Sequence, residues 1–113
     1  MRTETLLDTA CMYARRKDDR RTFKLAAIGV RADGAVVHAV NQPTTDVNPT
    51  CHAEWRLCQK LDKGATVYVA RVGADGVARL ARPCPACRSK LMRQGVVRVY
   101  YSIGPHEYGV IDL

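Results

Sequence analysis

A chain of 113 residues, 47% apolar and 26% charged, is long enough for one hydrophobic core and too short for two. Its composition is globular without a low-complexity block, and no apolar run approaches the ~20 residues that span a bilayer. Thirteen Arg and five Lys against eleven acids leave a net charge of +7, a balance that favours an anionic ligand, either a nucleotide or a polynucleotide.

Read in chain order, Leu6, Leu7, Ala10, Tyr13 and Ala14 recur at helical spacing and predict an amphipathic helix over about residues 3–18. Acids in the opening M-R-T-E-T-L-L-D-T-A are foreign to a secretory signal, so the chain is expected to be cytoplasmic, with no membrane partner. The runs K24-L-A-A-I-G-V-R31 and A35-V-V-H-A-V40 flank A32-D-G34, and Asp-Gly between apolar runs predicts a β-hairpin. A Pro/Asn/Thr loop, N41-Q-P-T-T-D-V-N-P-T50, precedes a helix capped by Thr50 and continued through Leu57, Cys58 and Leu61 to about Asp62. Gly64 ends that helix, and A65-T-V-Y-V-A-R-V72 reads as a buried strand.

The G73-A-D-G76 turn and a short irregular stretch lead to a third helix, P83-C-P-A-C-R-S-K-L-M-R-Q94, closed by Gly95. V96-V-R-V-Y-Y101 and Y108-G-V-I-D112 are strands joined by a turn too short for a crossover, so they should be antiparallel. The expected fold is a three-layer α-β-α domain spanning residues 1–113, with a five-stranded mixed sheet whose last two strands are antiparallel.

Five cysteines are an odd number, and without a secretory context they do not suggest a disulfide framework. Cys84 and Cys87 stand three apart at a helix start, where both sulfurs can face one point and the positive end of the helix favours anionic sulfur. His52 completes a three-ligand N/S set, the number a catalytic zinc uses while keeping its fourth position open. Glu54 stands two residues from His52, near the metal without being counted among its ligands.

Other readings exist. A lone C-x-x-C also serves thioredoxin-type redox chemistry, but that motif belongs after a first strand near the N-terminus. A structural zinc knuckle would take Cys51 or Cys58 as its fourth ligand. Cys51 neighbours His52, and adjacent helical residues diverge by ~100°. Cys58 lies nearly two turns on and reads as core, as does Cys11.

H52-A-E54 followed by P83-C-P-A-C87 resembles the signature of the cytidine deaminase superfamily, and the resemblance runs over nearly the whole chain. P83-C-P-A-C-R-S-K-L is similar to the P-C-G-x-C-R-Q-x-L motif of free-nucleoside cytidine deaminases. N41 and D46-V-N-P-T-C-H-A-E54 resemble instead the N…D-P-T-A-H-A-E run of tRNA adenosine deaminases. The resemblance implies a zinc ion (Zn2+) held by His52, Cys84 and Cys87, with Glu54 as the proton shuttle. It also implies base recognition by the backbone of Ala53 and the carbonyl near Pro83, a sugar or base contact from Asn41, and Phe23 at the pocket rim. Arg88 is either a donor to a zinc thiolate or a surface arginine.

The implied reaction is hydrolytic conversion of a cytosine-type base to uracil on a pyrimidine nucleoside or nucleotide. One departure bears on substrate: the nucleoside branch carries N-x-E-N where this chain has N41-Q-P-T44, so the acid that holds the sugar is absent from that loop position and is either lost or replaced by Asp46, five residues on. The alternatives are a deaminase of tRNA or single-stranded DNA, and a catalytically silent zinc domain that binds nucleotide. The resemblance further implies a homo-oligomer, dimer or tetramer.

Overall fold

The computed structural model describes residues 3–16, 23–40, 57–73 and 75–113. Helix α1 (Thr3–Arg16) is followed by strands β1 (Phe23–Val30), β2 (Val36–Val40), β3 (Thr66–Gly73) and β4 (Ala78–Arg79). Helix α2 (Pro85–Gln94) and strands β5 (Arg98–Gly104) and β6 (Glu107–Asp112) complete the chain. The strands form one mixed sheet in the order β2-β1-β3-β5-β6, with β4 paired to β3. The β1–β2 hairpin and the β5–β6 pair are antiparallel, as their short connections require. β3 and β5 run parallel, with α2 in the crossover between them.

Among the described residues six strands replace the expected five. The extra strand is a two-residue one: β5 pairs with β3 only from Thr66 to Val69, which leaves the far end of β3 open, and Arg79 and Ala78 pair there with Arg71 and Val72. A turn folds the chain back to make this pairing, and in it the Asp75 carboxylate accepts from the Val77 N–H at 3.0 Å. That bond, helped by Arg79, holds the Asp75 carboxyl below its ordinary pKa.

The layers follow from the alternation of β3. Tyr68, Ala70 and Val72 face α1, packing with Leu6, Leu7, Ala10, Cys11 and Ala14. Val67 and Val69 face the opposite core with Leu57, Cys58, Leu61 and Leu91. Both faces are covered, so β3 reads as a continuous apolar run rather than an alternating one. Among the described residues no helix is long and apolar enough to cross a membrane.

The helix expected to continue to about Asp62 ends earlier: residues 57–58 are helical and 59–60 form a turn. Three bonds draw the chain off the helical path onto the β1–β2 hairpin. Lys60 Nζ donates to the His38 carbonyl at 2.7 Å, Arg31 donates to the Lys60 carbonyl at 3.0 Å, and the Ala32 N–H donates to Asp62 at 3.0 Å. Leu61 still reaches the core because β1 carries Gly29 beneath it; a Cβ there would run into Leu61 and crowd Val37.

Helix α2 stops at Gly95, whose φ of 92° lies in the left-handed region, and the Gly95 carbonyl accepts from the Gly64 N–H at 2.8 Å. A Cβ at Gly95 would meet the backbone of Lys63. Gly95→Ala is therefore expected to destabilise the domain by roughly 2 kcal/mol, adding left-handed strain to a backbone collision. Urea unfolding measures this, and a midpoint equal to that of the parent would show that the loop at Lys63 yields freely.

Candidate metal and active site

The site begins at a strand junction. Where β3 and β5 diverge around β4, Ser102 is buried and polar. Its hydroxyl donates to the Arg79 carbonyl at 2.6 Å and accepts from the Arg71 N–H at 3.2 Å. Its carbonyl accepts from the Ala81 N–H at 2.8 Å. One residue thus ties β3, β4 and β5 together and fixes the direction of the segment that leads into α2. Ser102→Ala would leave two partly buried backbone groups without their partner, at a cost of about 1 kcal/mol. Faster hydrogen exchange at the Arg71 amide is the specific readout; unchanged exchange would mean that another group supplies the acceptor.

From that clamp the chain passes through buried Ala81 and Pro83 to Cys84. Cys84 is extended (φ −67°, ψ 162°) and caps α2, with Pro85 opening the helix. Proline suits that position because its missing N–H belongs to the unpaired first turn anyway. The Cys84 carbonyl accepts from the Arg88 N–H at 2.9 Å, closing the first turn. The two cysteines are therefore a capping residue and the third residue of the helix, not both inside the first turn as the sequence suggested. The spacing still allows both sulfurs to meet one ion, because a side chain on the capping residue can approach the third residue of its helix.

The two thiols sit in different surroundings. Cys84 is exposed and its side chain makes no capping hydrogen bond. Cys87 is fully buried, in the layer that α2 lays on the sheet. No acid occupies the first turn, so the positive end of the helix is offered to whatever the sulfurs hold. No disulfide joins the described cysteines Cys11, Cys58, Cys84 and Cys87.

A helix start whose capping residue makes no side-chain hydrogen bond, bearing one exposed and one buried sulfur, fits a thiolate-bound zinc. Among the described residues no group of three His, Cys, Asp or Glu converges. The pair at the start of α2 could offer two donors to a metal, and the other predicted members, His52 and Glu54, lie outside the described residues, as do Asn41, Ala53 and Cys51. Phe23 opens β1, and its side chain is likewise outside the description. What is described is the far end of the segment carrying His52 and Glu54, anchored by Leu57 and Cys58 in the same core as α2.

Cys58 and Cys11 are core residues, as expected, one on each side of the sheet. Burial pushes the Cys11 thiol up in pKa; nearby Arg15 opposes this and Asp8 adds to it. Arg88 is exposed. Sequence reasoning missed Ser102, because one serine in an apolar strand carries no pattern. It also missed the close approach at Gly29.

Fold and site together define a three-layer α/β domain that presents a thiol pair at a helix start beside its central parallel strands. Residues 1–103 match the family described as cytidine and deoxycytidylate deaminase zinc-binding region, and the chain belongs to that family. Among solved structures it is similar to the cytidine deaminase from Burkholderia pseudomallei, at 18% identity and a TM-score of 0.72 over 99% of this chain and 93% of that one. The Mycobacterium leprae enzyme gives 19% identity and a TM-score of 0.65 over 97% and 93% of the two chains. The Mycobacterium tuberculosis enzyme gives 19% and 0.58 over 93% and 89%. No curated protein sequence matches the chain.

Proposed function

We propose that the chain is a zinc-dependent hydrolytic deaminase that converts a cytosine-type base to uracil and releases ammonia, acting on a pyrimidine nucleoside or nucleotide. The observation that carries this reading is the family match across residues 1–103, with the Cys84/Cys87 pair of that family's motif at a helix start whose capping residue makes no side-chain hydrogen bond. The similar solved structures are cytidine deaminases, which supports cytosine as the base.

In this reading His52, Cys84 and Cys87 hold the zinc, and Glu54 is the catalytic carboxylate. When bound, zinc supplies activation of a water molecule at neutral pH. Glu54 accepts the proton released as that water adds to the ring carbon bearing the amine, and passes it to the adjacent ring nitrogen. It then carries a proton to the departing amine, so water and cytosine become uracil and ammonia. The Ala53 backbone and the Pro83 carbonyl read the polar edge of the base, Asn41 bonds the sugar or base, and Phe23 closes the rim. The protein is read as a cytoplasmic homo-oligomer, dimer or tetramer.

The test is ammonia release by zinc-loaded protein from cytidine, deoxycytidine, their monophosphates and adenosine. Release from the cytosine compounds is expected. Release from none would leave a silent zinc domain, and release from adenosine alone would reassign the base.

A further inference from the structure

Residues 76–106, which contain the thiol pair, carry Arg79, Arg82, Arg88, Lys90, Arg93 and Arg98 and no Asp or Glu. Two of these cations are matched: Arg79 lies 2.9 Å from Asp75 and Arg98 lies 2.6 Å from Asp112. Arg82, Arg88 and Arg93 are exposed and have no ion pair among the described residues. Lys63, also exposed, abuts the C-terminal end of α2 through its contact with Gly95.

Their placement exceeds what one phosphate can use. Arg82 stands before the helix, Arg88 in its first turns, Arg93 at its end and Lys63 beyond it, and ten helical residues alone extend ~15 Å. Arg88 and Arg93 leave the helix about 140° apart, on opposite sides of its outer face. A nucleoside monophosphate engages one or two such forks; cations spread over this distance need a ligand with several phosphates. Met92, on the helix between Arg88 and Arg93, and Leu80 and Val97 on the flanking segments expose apolar side chains, which offer bases a surface where the arginines offer the backbone a charge.

We propose that the outer face of α2 with its flanks, Arg82, Arg88, Arg93 and Lys63, is a docking surface for a single-stranded nucleic acid. The charged surface stands on its own. The single-stranded class rests on the deaminase reading, since a base must leave its stack to be processed.

The experiment is fluorescence anisotropy of the full chain with a labelled single strand of about 20 nucleotides, titrated with salt from about 50 mM upward. Four cation–phosphate contacts predict a slope of log affinity against log salt of about −2.8, from about 0.7 per contact. Arg82→Ala combined with Arg93→Ala is expected to weaken binding about tenfold at low salt and to flatten the slope to about −1.4, the share of Arg88 and Lys63. Both positions are exposed, and an unchanged urea midpoint verifies that the variant is folded. No binding at low salt, or a slope that the double variant leaves unaltered, overturns the proposal. Duplex bound as tightly as the single strand overturns the single-stranded assignment. Ammonia from free cytidine without strand binding removes this surface and leaves the deaminase reading; strand binding without ammonia from any substrate does the reverse.

Discussion

Glu54→Gln is expected to keep stoichiometric zinc and to lose turnover by roughly 10²–10⁴-fold, the range a positioned general acid–base supplies. The amide keeps the size and polarity of the carboxylate but cannot accept the proton that the attacking water gives up. The loss should fall in kcat, because the proton moves in the transition state rather than in the bound ground state. Steady-state ammonia release together with metal analysis separates the outcomes. Retained turnover would take Glu54 out of its role, and lost zinc would make it a ligand instead of a shuttle.

The second large effect is expected at the thiols. Cys87→Ala should abolish zinc binding, since it removes one of three donors, and should also destabilise the apo protein, because the deleted sulfur belongs to a fully buried side chain. Cys84→Ala should remove zinc equally while costing the apo fold little, since Cys84 is exposed and its side chain makes no capping bond. The two variants thus agree in metal content and differ in the urea midpoint without metal. Cys51→Ser should leave the zinc content unaltered. Its loss there would move the third donor from His52 to its neighbour.

Much of the fold was legible where periodicity and turn chemistry agreed. Leu6, Leu7, Ala10 and Ala14 marked one face of α1, and all four are buried on the sheet. Asp33-Gly34 marked the hairpin, and the Asp33 carboxylate accepts from the Ala35 N–H at 3.0 Å. The antiparallel finish followed from a connection too short for anything else. What escaped depended on tertiary geometry. β4 has two residues and no pattern, and exists because β5 leaves part of β3 unpaired. Leu61 looked like one more turn of helix, because a side chain reaching the core from a turn and one reaching it from a helix leave the same letter in the sequence.

At the site the sequence was informative about chemistry and coarse about position. C-P-A-C marked the thiol pair and the helix it begins; that Cys84 caps the helix from outside depends on an extended backbone no motif prescribes. Ser102, which orients the segment leading to Cys84, was invisible because its partners are backbone groups of Arg71 and Arg79. The basic character of residues 76–106 could be counted, but which arginines are matched by acids required the strand pairings that bring Asp112 to Arg98.

The placement of α2 in the crossover between β3 and β5 has a consequence for how the protein matures. The β1–β2 and β5–β6 hairpins join near neighbours in the chain and can close quickly, whereas the parallel β3–β5 pair must first close a long connecting loop. Until it does, Cys84 and Cys87 are a flexible C-x-x-C with no third donor fixed beside it. In the proposed reading zinc affinity belongs to the finished fold and not to the nascent chain, so zinc would stabilise the native state by mass action. A chelator would lower the unfolding midpoint of a protein whose active site it was meant only to silence.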